Sequence, residues 1–112
     1  MNIKQAVFDV KYLAGFEELD PGLGFDSMRN FMESAPYEGQ EDIARYLDAG
    51  RKTYTATSGY PHDVFDGETI KTELAGMTDG EYSWNTCLSH YVRKYNLRLP
   101  KCFEDKVFSL SK

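Results

Sequence analysis

The chain has 112 residues, 41% apolar and 28% charged, the make-up of one globular domain able to close its own core. A net charge of −5 argues against a nucleic-acid binder, and no apolar run reaches the roughly 18 residues of a membrane-crossing helix. Two cysteines make no disulfide framework, and the start, Met1 to Gln5, lacks a signal-peptide pattern, so the expectation is a cytoplasmic protein.

Charge divides unevenly. Residues 1–50 hold ten acidic and four basic side chains, or −6, whereas residues 51–112 hold eight and nine, or +1. An acidic half can steer a basic partner, although acidic residues also serve simply to solvate helix faces.

Ile3, Ala6, Val7, Val10, Leu13 and Ala14 recur at helical spacing, widened by Phe8 and Tyr12, and predict a first helix over 3–14 that stops at Gly15. Residues 16–25 read as a loop through Pro21-Gly22 and Gly24. Asp26 or Ser27 then caps a short helix carrying Met28, Phe31 and Met32, closed before Pro36. A further helix follows Gly39, with acidic Glu41 and Asp42 in its first turn, an apolar face of Ile43, Tyr46 and Leu47, and Gly50 as its closing glycine.

Residues 51–58 are rich in β-formers and predict a strand. Asp66-Gly67 and Asp79-Gly80 each suit a type I′ hairpin turn, joining 62–65 to 68–74 and the segment ending at Met77 to that starting at Glu81. Ser83 or Asn85 can cap a helix with Leu88, Tyr91, Val92 and Tyr95 on one face, and Asn96 can close it in the left-handed region. Pro100 opens a last helix that buries Phe103, Val107 and Leu110. The single tryptophan, Trp84, stands at the strand–helix junction and belongs to the core. The expected fold is α+β: a short antiparallel sheet of three to five strands packed by N-terminal and C-terminal helices, residues 1–112 forming one domain.

Chemical motifs are weak. Cys87, His90 and Cys102 are the only soft-ligand group and lack a metal-site spacing, so no metal is expected. They also lack the surroundings of an activated nucleophile. Asp63, Asp66, Glu68, Asp79 and Glu81 could work as acid and base, but aspartates beside glycine already serve turns. Arg93, Lys94, Arg98 and Lys101 read as helix-end stabilisation rather than a nucleic-acid footprint. No catalytic residue and no cofactor are assigned.

Taken as a set, Ile43 to Gly50 (IARYLDAG), Asp63 to Glu68 (DVFDGE), Met77 to Trp84 (MTDGEYSW), Leu88 to Val92 (LSHYV) and Asn96 to Pro100 (NLRLP) resemble small bacterial cytoplasmic proteins, some similar to immunity proteins encoded beside secreted polymorphic toxins. The resemblance spans roughly residues 40–105. It implies stoichiometric inhibition: covering the active site or substrate groove of a cognate toxin, a nuclease among the possibilities, without a cofactor. A basic toxin groove would be met by an acidic patch of Glu17, Glu18, Asp20, Glu33, Glu38, Glu41 and Asp42, with Tyr37 and Tyr60 as aromatic anchors. No nucleic-acid or membrane partner is expected. The alternatives are a small enzyme using the loop carboxylates of 63–81, and an accessory protein of a phage or mobile element acting as a homo-oligomer.

Overall fold

The computed structural model describes residues 11–55 and 59–110. Its strands are β1 (Lys11–Tyr12), β2 (Arg51–Thr55), β3 (Ala75–Thr78) and β4 (Tyr82–Asn85), in the sheet order β1-β4-β3-β2. Its helices are α1 (Gln40–Asp48), α2 (Leu88–Tyr95) and α3 (Lys101–Leu110), with a short 3-10 turn at Met28–Phe31. The α+β class is as expected, and β2, β3 and β4 form an antiparallel sheet. The addition is β1, which lies parallel to β4 with Lys11 opposite Tyr82 and Tyr12 opposite Ser83.

The core is built from one sheet face and the buried faces of α1, α2 and α3. Met77 and Trp84 are cross-strand partners, and Tyr82 shares their face because it stands two residues from Trp84. Trp84 is 2% exposed, as its position predicts. Its indole N–H donates to the Leu47 carbonyl at 3.0 Å, and its ring meets Phe103 edge-on at 6.0 Å. Phe103 also packs edge-on against Tyr82 and Tyr46, so one α3 side chain joins the sheet to α1. The second sheet face is more open. Tyr54 lies over Gly76, where an added Cβ would stand 2.4 Å from the ring, and Tyr12 is half exposed.

Helices α1 and α2 are joined by polar clasps. The Gln40 side-chain amide donates to the Val92 carbonyl at 2.7 Å and to Asn96 Oδ1 at 2.9 Å. Ser89 Oγ donates to Asp48 at 2.6 Å, and Arg93 spans Glu41 and Asp48. Asn96 takes the left-handed conformation at φ 57°, as anticipated.

Several expectations need correction. The predicted helix over 3–14 lies mainly outside the described residues, but its last part is not helical: Lys11 and Tyr12 pair with β4, and Leu13 N–H donates to the Ser83 carbonyl at 2.8 Å. The apolar run that reads as one helix stripe is drawn into the sheet at its end. The 51–58 strand is described to Thr55, and 56–58 lie outside the described residues. The 62–65/68–74 hairpin reduces to one isolated bridge, His62 with Thr69. Neither Asp-Gly pair forms a type I′ turn, since Gly67 and Gly80 have positive φ but Asp66 and Asp79 do not. Asp79 closes its turn with its side chain instead, accepting from the Glu81 and Tyr82 N–H groups at 2.9 and 2.7 Å.

Gly50 also differs in its reason: its φ is not positive, but an added Cβ would stand 2.6 Å from Trp84 Cζ2. The α2 start is Cys87, which makes no side-chain cap; Asn85 Oδ1 instead accepts the Cys87 N–H. Pro100 stands one place before α3, its carbonyl accepting from Phe103 and Glu104, and Leu110 is exposed. Among the described residues no helix is long and apolar enough to cross a membrane.

Candidate functional site

The nine residues expected to meet a partner fall into separate groups. Tyr37, Glu41 and Asp42 come together at a shallow cavity of about 470 Å³ near the start of α1, bounded also by Gly39 and Arg93. None of the three is idle. Tyr37 donates its hydroxyl to the Leu97 carbonyl at 2.6 Å, and Arg98 stacks on its ring at 4.1 Å. Burial, then the Glu104 charge, pushes its phenol up to about 12. Glu41 accepts from Arg93 Nε and Nη2 at 3.1 and 3.0 Å, and Asp42 pairs with Arg45 at 2.6 Å. Glu33 lies 3.6 Å from Arg98. These carboxylates are largely neutralised from within.

Glu18 has a structural task. Its carboxylate accepts the Ser27 hydroxyl and the Met28 N–H, pinning the 16–26 segment to the 3-10 turn. Ser27 in turn caps that turn through the Arg29 N–H at 3.1 Å, as its position predicts. Burial opposes ionisation of Glu18, but these two hydrogen bonds outweigh it and hold its carboxyl below the usual glutamate pKa. By contrast Glu17, Asp20 and Glu38 have no side-chain hydrogen bond or ion pair among the described residues, and Asp26 shares that condition. Tyr60 is 59% exposed and stands apart from the cavities described here.

Beside the 16–26 carboxylates runs a groove of about 600 Å³ that composition did not reveal. Tyr12, Phe16, Phe25 and Phe31 supply its aromatic lining, Asp26 one edge, and the 98–101 segment the opposite wall. The sequence places Tyr12 and Phe31 on helix faces turned inward; they are instead 50% and 41% exposed. Phe25 and Leu23, in a loop between Gly22 and the 3-10 turn, are 38% and 68% exposed. Large apolar side chains inside a Gly/Pro-rich loop were the signal available, because a loop that does not enter the core must show them to solvent.

Two of the carboxylates at 63–81, buried Asp63 and partly buried Asp79, form separate hydrogen-bonded anchors rather than one cleft. Asp63 has a side chain with no exposure. It accepts from the Phe65 and Asp66 N–H groups at 2.8 and 3.2 Å and from Tyr95 at 2.9 Å. His90 Nε2 lies 2.6 Å from it. An ionised carboxylate only accepts, so the imidazole must carry its proton on Nε2. Burial would raise this carboxyl, but the hydrogen bonds, that from His90 foremost, hold it down to about 2. Asp79 is likewise lowered against its burial, by Tyr46, the turn amides and Lys106. Asp66 pairs with Lys94, and Glu81 meets Lys106 at 3.0 Å.

The soft-ligand trio is scattered in role: Cys87 is buried, Cys102 is exposed, and His90 belongs to Asp63. No group of three or more metal-ligating side chains forms among the described residues. Each basic residue of the 93–101 cluster faces a carboxylate: Arg93 with Glu41 and Asp48, Lys94 with Asp66, Arg98 with Glu104, Lys101 with Asp105. Comparison of the chain with protein-family models, with curated proteins and with solved structures returns no match.

Proposed function

We propose that this protein works by binding another protein stoichiometrically, as an immunity-type inhibitor that neutralises a bacterial toxin with a basic surface. The observation that supports the reading is an imbalance of charge. The cations of 93–101 are matched by internal carboxylates, while Glu17, Asp20, Asp26 and Glu38 are left without partners among the described residues. Residues 17–38 carry six carboxylates against Arg29 alone, so the field of that segment is negative, which speeds capture of a basic partner and discriminates against acidic ones. Asp63 and Asp79, the best-placed carboxylates for an enzyme, have their oxygens occupied by hydrogen bonds within the fold. The reading assigns the protein no covalent chemistry.

The test is co-expression with the product of the neighbouring upstream reading frame. Rescue of growth together with a 1:1 complex on size-exclusion chromatography is the expected result. A neighbour that is harmless alone, or a toxin that kills equally with and without this chain, defeats the reading.

A further inference from the structure

The aromatic groove beside the 16–26 segment has a use that the charge argument alone does not specify. Scattered apolar side chains on a surface need no explanation, but Tyr12, Phe25 and Phe31 line one concavity and Leu23 lies on the same loop. At about 600 Å³ the space is large enough for an indole or phenyl side chain. Its walls are held in advance. Glu18 ties the loop to the 3-10 turn, the Arg98 N–H donates to the Phe31 carbonyl at 2.7 Å, and the Glu17 N–H donates to the Asp26 carbonyl at 3.0 Å. A preformed pocket loses little ordering entropy when filled.

We propose that this groove receives one large apolar side chain of a protein partner, flanked on that partner by lysine or arginine. The inference rests on the reading of the chain as a binder of a basic protein. Asp26 forms part of the lining, Glu17 is joined to it through the backbone, and Asp20 lies near enough to Tyr12 to help burial raise that phenol. The two cations of the far wall, Arg98 and Lys101, are held by Glu104 and Asp105. Among the described residues, the charges at this rim that no ion pair matches are thus the carboxylates of Asp26, Glu17 and Asp20. A second copy of this chain is a poor occupant, because a symmetric contact would set two acidic rims against each other. Aromatic anchors seated in such pockets supply most of the energy of many interfaces.

The experiment is an NMR titration of the full-length, isotope-labelled chain with the acetylated and amidated pentapeptide Lys-Lys-Trp-Lys-Lys. Controls are Glu-Glu-Trp-Glu-Glu and Lys-Lys-Ala-Lys-Lys in the same form. The expected result is shifts centred on the amides of Leu13, Phe16, Phe25 and Phe31, with both controls weaker by roughly ten-fold or more. The triple variant Glu17→Gln, Asp20→Asn, Asp26→Asn should weaken the basic peptide by roughly ten-fold and remove most of its salt dependence. Phe25→Ser, at an exposed position, should abolish binding while the spectrum stays folded.

Shifts elsewhere, equal binding of the acidic peptide, or no shift at millimolar peptide overturns the proposal. So do groove shifts that appear on concentrating the protein alone, which would assign the groove to self-association. The titration uses no toxin. A harmless genomic neighbour would therefore remove the immunity reading without touching this result. A toxin complex unaffected by Phe25→Ser would remove the groove and leave that reading in place.

Discussion

Replacing Asp63 by asparagine should destabilise the fold and flatten part of its acid response. The carboxyl is held at about 2 against an ordinary 3.8. Because a tenfold change in acid constant is worth ~1.4 kcal/mol, the ionised form contributes about 2 kcal/mol at neutral pH. The contribution is fully present above the unfolded value near 3.8 and is lost as pH falls through about 2. An amide keeps one acceptor for the Phe65 and Asp66 N–H groups, and His90 can change tautomer to accept from the new amide. The loss at pH 7 should therefore stay near 2–3 kcal/mol, short of the roughly 3–5 kcal/mol expected when a buried ionic partner is simply deleted. Urea unfolding at pH 7 and pH 3, followed by Trp84 fluorescence, measures both effects. The variant should unfold at lower urea at pH 7 and approach the wild type at pH 3. Some acid slope must persist, because Asp79 is also lowered in the fold. Equal midpoints at pH 7, or a wild-type acid slope in the variant, would refute the account of Asp63 as the anchor of the 62–70 loop.

Gly50→Ala should cost about 1–3 kcal/mol and alter the near-UV signal of Trp84, since the added methyl meets the indole at 2.6 Å; an unchanged melting temperature would contradict this. A thiol reagent should label exposed Cys102 promptly and reach Cys87 only on unfolding, because burial raises that thiol to about 11. Rapid modification of both in the native protein would show the α2 start to be open. Arg93→Ala should cost less than about 1 kcal/mol despite its two carboxylate partners, because its side chain is 39% exposed and solvent screens the pairs. Thermal unfolding at low and high salt is the check, and a large salt-independent loss would argue against it.

Much of the fold was legible from residue order, and the parts that were share a feature: their signals are local. The α1 pattern of acidic first turn and Ile43/Leu47 face, the Asn96 stop, the Ser27 cap and burial of Trp84 each depend on neighbours within a turn or a strand. What pairing at long range decides could not be read this way. Leu13 and Ala14 are buried either as a helix face or behind a β1 edge, and only the β4 backbone chose the second. Asp63 looks like any turn aspartate until His90 and Tyr95, from another element, close around it.

The candidate site divides on the same line. Composition alone gives an acidic first half, which is where the proposal of a basic partner starts. Which carboxylates remain available depends on where Arg93, Arg45 and Arg98 reach, and those reaches neutralise Glu41, Asp42 and Glu33 while sparing Glu17 and Asp20. The aromatic groove exists only because the chain brings Tyr12, Phe25, Phe31 and the 98–101 segment together across some 90 positions. Charge is a sum over residues and survives without a fold; a concavity is a relation between distant ones and requires the tertiary structure to exist.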